Sequence, residues 1–292
     1  MPRGQQERRL VINADGYGLA AGLNRGIEEC IEGGLVTSIS VNANFAAAES
    51  LRHLVERQPG ISVGVHLNPV AGPPLADPDR IPTLLAENGE FHLDAFPALL
   101  RAGRIDRAEL AYELGLQIER VHELAPGVTH LDSHQNLHLR PRFFGLFLEL
   151  ARRYGIERMR THQHFVCVET RPRRAAMAAF YVTHPRRFVT HTAARYLMRT
   201  ARRRGMRMCD RLLSPGASGA RARLDVWLRI AQGCPPGTNE IYCHPAYVDD
   251  ELRRWAKVIV EQREDERRVL TDPRLAAELA ANDVRLISFH DI

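Results

Sequence analysis

Residues 9–68 read RLVINADGYGLAAGLNRGIEECIEGGLVTSISVNANFAAAESLRHLVERQPGISVGVHLN, and this stretch decides the fold class. Three β-type runs occur in it, at 9–15, 37–43 and 61–68, and helical segments at 23–32 and 46–57 separate them. Strands that alternate with helices pair in parallel through helical crossovers. The pattern therefore predicts an α/β fold, either an open doubly wound sheet or a closed barrel.

The same alternation continues through the rest of the chain, with two interruptions. Further strands are predicted at 128–133, 156–161, 240–244 and 284–289, and further helices at 109–124, 143–154, 224–231, 251–262 and 272–282. The interruptions are a loop-rich stretch at 69–107 and an arginine-rich insertion at about 172–216. A length of 292 residues suits one barrel of ordinary size or two small domains.

The composition excludes several classes of protein. Hydrophobic residues make up 45% and charged residues 26%, and the sequence contains neither an apolar run of bilayer-spanning length nor a start that resembles a signal peptide. We therefore expect no transmembrane segment. The five cysteines are scattered and never spaced as CxxC, so the sequence predicts neither a disulfide framework nor a cysteine zinc knuckle. A cytoplasmic location is the expectation.

The formal net charge of +5 raises the question of a nucleic-acid partner. The basic residues are almost all arginine, and Lys257 is the single lysine. The basic stretches interleaved with aromatic residues that nucleic-acid binding uses are missing, so no nucleic-acid partner is predicted. A mild positive charge also suits anionic substrates or lipid surfaces without specifying either.

Polar or titratable residues follow several of the predicted strands. They are Asp15, His66, Asp132, His134, His162, His244, His290 and Asp291. The carboxyl ends of parallel strands open on one face of an α/β fold, so residues distant in sequence are expected to converge there. One histidine at a strand end is ordinarily structural, but the coincidence of several indicates a functional site.

One carboxylate and two imidazoles among these residues suggest a metal centre. Asp15, His66 and His134 combine the ligand types that suit a catalytic divalent ion with open positions. The sequence contains no GxSxG elbow, no GxGxxG motif and no P-loop, so serine-hydrolase, dinucleotide and nucleotide-phosphate sites lack support.

Several motifs resemble, in order, those of the YdjC-like carbohydrate deacetylase family, which includes chitooligosaccharide deacetylases. They are NADGYGL (13–19), NRGI (24–27), VTS (36–38), GVHLN (64–68), GPPL (72–75), THLDSHQNLH (129–138), EIYCHPAYVDD (240–250) and RLISFHDI (285–292). The resemblance implies one catalytic domain over residues 1–292, folded as a distorted (β/α) barrel with parallel strands. It also implies metal-dependent removal of the N-acetyl group from an amino sugar or oligosaccharide.

The resemblance assigns roles to individual residues. It implies that His66 and His134 are metal ligands and that Asp15 is the base; His244 is our candidate for the general acid. The ion would be Mg²⁺, with Zn²⁺ as the alternative. The family's motif is normally NADDFG, and the second aspartate, a metal ligand in the family, is replaced here by Gly16.

Three explanations of Gly16 stay open. Asp15 itself could ligate the ion, with water or Asp132 completing the shell; the ion could bind weakly; or Gly16 could be a lesion. The functional alternatives are a deacetylase-derived sugar-binding protein with impaired catalysis, and a barrel hydrolase of another amide or ester.

Four further residues are assigned to the surroundings of the site. Asp132 is expected to orient a histidine or complete the metal shell. Asn13, Asn68 and His138 are expected to line the sugar pocket, with hydrogen bonding at turns and strand ends as the alternative.

The expected partner is an N-acetylated sugar, phosphorylated and lipid-linked forms included. The arginine-rich insertion is interpreted as a solvated helix or as a basic amphipathic lid in peripheral membrane contact. A homodimer is one of the alternatives for the oligomeric state.

Overall fold

Parallel strands form the centre of the molecule. The computed structural model describes residues 7–167, 173–215, 219–256 and 258–292. The strands are β1 (Arg8–Tyr17), β2 (Ser38–Val41), β3 (Ser62–Leu67), β4 (His130–Ser133), β5 (His164–Val166), β6 (Arg211–Ser214), β7 (Gly237–Cys243) and β8 (Val284–Leu286). They lie in the order β4-β3-β2-β1-β7-β6-β5, and β8 pairs with β1. All pairings between strands are parallel.

The sheet curls until its two edges approach each other. Single bridges join Leu131 of β4 to Met159 and Arg158 to Arg207, in the segments that lead into β5 and β6. All six residues of β3 and eight of the ten in β1 are buried, as expected for strands covered on both faces. The expectation of an α/β fold with a distorted barrel of parallel strands is confirmed.

Helices cover the outside of this sheet. They are α1 (Ala21–Glu32), α2 (Leu51–Arg57), α3 (Phe96–Ala102), α4 (Arg107–Leu124), α5 (Pro141–Arg153), α6 (Arg173–Thr183), α7 (Pro185–Arg203), α8 (Leu224–Gly233), α9 (Asp250–Trp255), α10 (Gln262–Leu270) and α11 (Pro273–Ala281). The Asp106 side chain caps α4 by accepting from the backbone N–H groups of Ala108 and Glu109. None of the helices in the described ranges is long and apolar enough to cross a bilayer.

Three expectations about secondary structure were wrong. The predicted strand at 156–161 makes only single bridges, and the ladder-forming strand β5 follows it. The insertion at 172–216 contains a strand of the sheet, β6, in addition to helices. The helix predicted at 251–262 ends at Trp255, because the backbone of Ala256 is extended, with φ of −92° and ψ of 111°, and a separate helix, α10, begins at Gln262.

Candidate active site

A cavity of about 320 Å³ lies at the carboxyl ends of the strands. Asp15, His66, His134 and His244 all line it, although they come from distant parts of the chain. Asp15 lies near the end of β1 and His66 near the end of β3, while His134 and His244 directly follow β4 and β7. The structure therefore brings together the four residues that the sequence assigned to catalysis and metal binding.

His66 and His134 form a pair of imidazoles in the cavity. Their ring centroids lie 5.6 Å apart in an edge-to-face arrangement. His66 Nδ1 lies 2.7 Å from Asp132 Oδ1, and since a carboxylate only accepts, Nδ1 donates this hydrogen bond and Nε2 is the ring nitrogen that could bind an ion. Burial lowers the pKa of His134 to about 3, with His66 and Arg263 adding to the effect, so this imidazole is neutral at pH 7.

Asp15 is held by a buried cation that sequence reasoning missed. The Arg160 guanidinium contacts both carboxylate oxygens of Asp15, with 2.6 Å between Nη1 and Oδ2. It also lies 2.8 Å from Asp132 Oδ2 and donates from Nε to Glu240 Oε1 at 2.8 Å. Asn13 adds a hydrogen bond from its amide to Asp15 Oδ1 at 2.8 Å. One guanidinium therefore joins three carboxylates and fixes the orientation of Asp15.

The carboxylates around Arg160 differ in their ionisation. Burial alone would raise the pKa of Asp132, but Arg160 and His66 reverse this effect and hold that pKa well below its usual range. Burial raises the pKa of Glu240 to about 7 despite the opposing charge of Arg160. Asp132 is thus a permanent anion, whereas Glu240 exchanges its proton near neutral pH.

His244 faces a second group of charges on α10. Its backbone N–H donates to Glu266 Oε2 at 2.7 Å, and its ring Nδ1 lies 3.9 Å from the same oxygen. Burial lowers the pKa of His244 well below its usual range, and Arg263 and Arg221 lower it further. The imidazole is therefore neutral in the resting site, and a general-acid role requires it to acquire a proton during the reaction.

The residues assigned to the sugar pocket lie outside the cavity wall. Asn68 is fully buried, and its amide braces a loop through Asn44, Val70 and Ala71. His138 is also buried, with Nδ1 2.7 Å from Ser133 Oγ. Asn13 contacts Asp15 rather than the open cavity.

Asn42 is a cavity residue that the sequence did not single out. It is 1% exposed, it lines the cavity beside Gly16, and neither its Nδ2 nor its Oδ1 has a partner among the described residues. A buried amide without a partner is costly unless a ligand or water satisfies it. Asn42 is therefore a candidate contact for a polar ligand.

The donor set fits a divalent ion. Asp15, His66 and Asp132 each offer a ligand atom within 4.8 Å of the others. The hydrogen bond from His66 Nδ1 to Asp132 is the arrangement that orients a metal-binding imidazole through its other nitrogen. Both imidazoles face the cavity, and the neutral state of His134 leaves it able to donate a lone pair.

Gly16 lies where the ladder between β1 and β2 is irregular. The register shifts between Asp15 and Tyr17, and Gly16 has a φ of +93°. A Cβ atom placed on it would lie 3.2 Å from Leu23 Cδ2 and 3.6 Å from Asn42 Nδ2. Gly16 thus suits a strained backbone but contributes no carboxylate to the cavity.

Four histidines, His138, His162, His164 and His191, form a row beside the site. The centroids of neighbouring rings lie 4.8, 5.5 and 3.9 Å apart along it. Burial lowers the pKa of His138 and His164 to about 3 and that of His191 to about 4, and it lowers the pKa of His162 well below its usual range. This row consists of neutral imidazoles at pH 7.

The row predicts a steep loss of stability in acid. An unfolded imidazole binds its proton near pH 6.5, but these groups do so only below about pH 4, so the unfolded state binds more protons between those values. The contribution of the row to the free energy of unfolding should therefore be constant above about pH 6.5 and fall on acidification by up to about 1.4 kcal/mol per pH unit for each group. Urea unfolding across that range measures the slope.

A matched pair of variants isolates the contribution of the row. His164→Phe keeps a ring against His191 and should make the pH dependence shallower. His53→Gln removes a histidine whose side chain is 80% exposed and should leave the slope unchanged. Equal slopes in both variants would contradict the assignment.

Comparison with known proteins identifies relatives of this chain. A family model described as YdjC-like protein matches residues 9–281. A carbohydrate deacetylase of Geobacillus stearothermophilus is 33% identical over 285 residues, which cover 97% of this chain and 98% of that protein. A carbohydrate deacetylase of Homo sapiens is 30% identical over an alignment of 320 positions, which covers 97% of this chain and 91% of that protein.

A solved structure from Enterococcus faecalis, provisionally named a cellobiose-phosphate cleavage protein, superposes with a TM-score of 0.77. The match covers 98% of both chains at 21% sequence identity, and it shows a shared fold.

Proposed function

Because the chain belongs to the YdjC-like protein family, we propose that it is a carbohydrate deacetylase that removes the N-acetyl group from an amino sugar with the help of a divalent ion. The observation that carries the proposal is the convergence of Asp15, His66, His134 and His244 in one cavity. Their chemistry is that of amide hydrolysis: a carboxylate for water, two imidazoles for an ion, and an imidazole for the leaving amine.

His66 and His134 would hold the ion, Mg²⁺ or Zn²⁺, and Asp132 orients His66 for this task. The bound ion supplies Lewis acidity, which activates water and polarises the acetyl carbonyl oxygen. Gly16 leaves this chain one carboxylate short of the family motif. We propose that water completes the shell and that Asp15, which offers an oxygen within 4.8 Å of the ligand atoms of His66 and Asp132, keeps the base role that the family motif implies.

Asp15 accepts the proton of the attacking water, and Arg160 and Asn13 hold its carboxylate in position during the transfer. His244 donates a proton to the amine as the C–N bond breaks, after taking one up in the course of the reaction. Glu266, whose Oε2 lies 3.9 Å from His244 Nδ1, stabilises the imidazolium that forms. Asn42 offers its unpaired amide to the substrate.

Gly16 also favours a second candidate function, a sugar-binding protein derived from a deacetylase. In that case the cavity would hold its sugar without hydrolysing it. A hydrolase of another amide or ester is the third candidate, since a barrel and its metal ligands do not fix the substrate.

The first experiment measures acetate release from N-acetylated mono- and disaccharides, including phosphorylated and lipid-linked forms, with Mg²⁺ or Zn²⁺. Release supports the deacetylase. Metal binding by calorimetry without acetate release points to another substrate. Sugar binding with neither metal binding nor release would favour the binding protein.

Gly16→Asp tests whether the missing carboxylate limits the rate. We expect acetate release to rise at least tenfold, because a carboxylate that binds the ion directly should contribute more than the 10–100-fold effect of groups that only orient the ligands. Because φ at this position is +93°, a residue other than glycine is strained there, and Gly16→Asp should at the same time lower the free energy of unfolding by about 1–3 kcal/mol. Gly16→Ala is the matched control, since it imposes the same strain without a carboxylate. Equal rates in the two variants would argue that the cavity has been rebuilt around glycine.

A further inference from the structure

The connection between β5 and β6 contains an exposed apolar surface. Residues 182–190, at the turn between α6 and α7, are all exposed. Six large hydrophobic side chains in the described ranges are at least 36% exposed, and four of them belong to this helix pair. They are Val182 at 81%, Phe188 at 50%, Val189 at 66% and Tyr196 at 68%. We call residues 177–203 the hairpin.

The hairpin lies in a strongly basic part of the chain. Residues 170–209 contain eleven arginines and no aspartate or glutamate, whereas the whole chain has a net charge of only +5. The rest of the protein is therefore net negative. Arg186, Arg187, Arg199 and Arg203 are exposed, and none of them forms an ion pair with another described residue.

One side of the helix α7 packs against the body of the protein, and the opposite side is exposed. His191, Ala194, Met198 and Ala201 recur at helical spacing and are buried against the body. On the other side, Val189, Tyr196 and Arg203 recur at intervals of seven residues, so one exposed stripe mixes apolar and basic side chains.

Residues on either side of the exposed turn connect the hairpin to the barrel. His191 stacks on His164 of β5 with 3.9 Å between ring centroids, and its Nδ1 lies 3.0 Å from the Tyr181 hydroxyl. The hairpin leaves the sheet at the carboxyl end of β5, the end at which the cavity lies.

We propose that the hairpin docks on the surface of an anionic phospholipid bilayer. The arginines would pair with lipid phosphates, while Val182, Phe188 and Val189 enter the boundary between headgroups and acyl chains. A nucleic acid would use the arginines but gain little from exposed valines. A second copy of the same hairpin would meet an equally positive surface, so charge disfavours that pairing.

Co-sedimentation of the full chain with vesicles tests this proposal. Vesicles that contain one-third phosphatidylglycerol in phosphatidylcholine should bind the protein, and vesicles of phosphatidylcholine alone should not. Raising the salt concentration from about 0.05 M to about 0.5 M shortens the screening length roughly threefold and should weaken binding more than tenfold. Binding that is insensitive to salt, or no binding, would overturn the proposal.

Three double variants locate the interaction. Arg186→Glu with Arg187→Glu should reduce binding more than tenfold, and Val182→Ser with Phe188→Ser should also reduce it severalfold. Arg101→Glu with Arg104→Glu removes the same charge from exposed positions on and after α3 and should leave binding nearly unchanged. Equal loss of vesicle binding in both arginine variants would mean that net charge alone drives binding, and this would refute docking through the hairpin. Hairpin-dependent binding to an RNA oligonucleotide but not to vesicles would also refute it.

Discussion

Asp15→Asn should lower kcat for acetate release by about 10²–10⁴-fold, the range that general-base catalysis contributes. Asparagine has nearly the same shape as aspartate and can keep the hydrogen bond from Asn13 on its oxygen, but its NH₂ group would face Arg160 Nη1, so urea unfolding of the variant accompanies the kinetics. The KM should change little, because the proposed base acts on the attacking water and not on the sugar.

Asp94→Asn provides the matched control for this prediction. Asp94 lines the same cavity but is exposed, and it makes no contact with Arg160 among the described residues. Its replacement should change kcat less than twofold. The assignment of Asp15 as the base fails if both variants keep their activity within tenfold of the parent, or if both lose it equally.

Arg160→Met should destabilise the protein by about 3–5 kcal/mol, as expected when a buried charge loses its partner. The side chain is 1% exposed, and its removal leaves Asp15, Asp132 and Glu240 without their common cation. Arg160→Lys keeps a charge but cannot donate in a fork to three carboxylates, so an intermediate loss is expected. Urea unfolding gives the three free energies.

A second change distinguishes electrostatics from packing. Adding Asp132→Asn to Arg160→Met removes one unpaired anion and should recover part of the lost stability. No recovery would mean that the volume of the arginine, and not its charge, is what matters. Arg160→Lys alone provides the comparison if the methionine variant does not fold.

The strand ends were predictable because long apolar runs identify β1 and β3, and the residues that follow such runs in a parallel fold share one face. Asp15 and His66 were identified in this way. Arg160 was missed, since an arginine in a short strand-like segment ordinarily points to solvent and the sequence does not show that three acids surround it.

Two other parts of the site carry too little apolar signal. The helix α10 reads QREDERRVL, in which only Glu266, Val269 and Leu270 are buried, so helical periodicity is hard to detect. Glu266 and Arg263 were missed for this reason. The strands β5 and β6 have three and four residues, too few for a period of two to stand out.

The position of Arg160 ties the barrel's architecture to its chemistry. The ring is closed beside β4 by isolated bridges at Arg158 and Met159, and Arg160 is the next residue along. Backbone hydrogen bonds join the segments here, among them one from Arg160 N–H to the Leu131 carbonyl. From this closure the Arg160 side chain reaches acids on β1, β4 and β7, so ion pairs add to the isolated bridges. Asp15, the proposed base, therefore also belongs to the ion-pair network that links β1, β4 and β7 where the barrel closes.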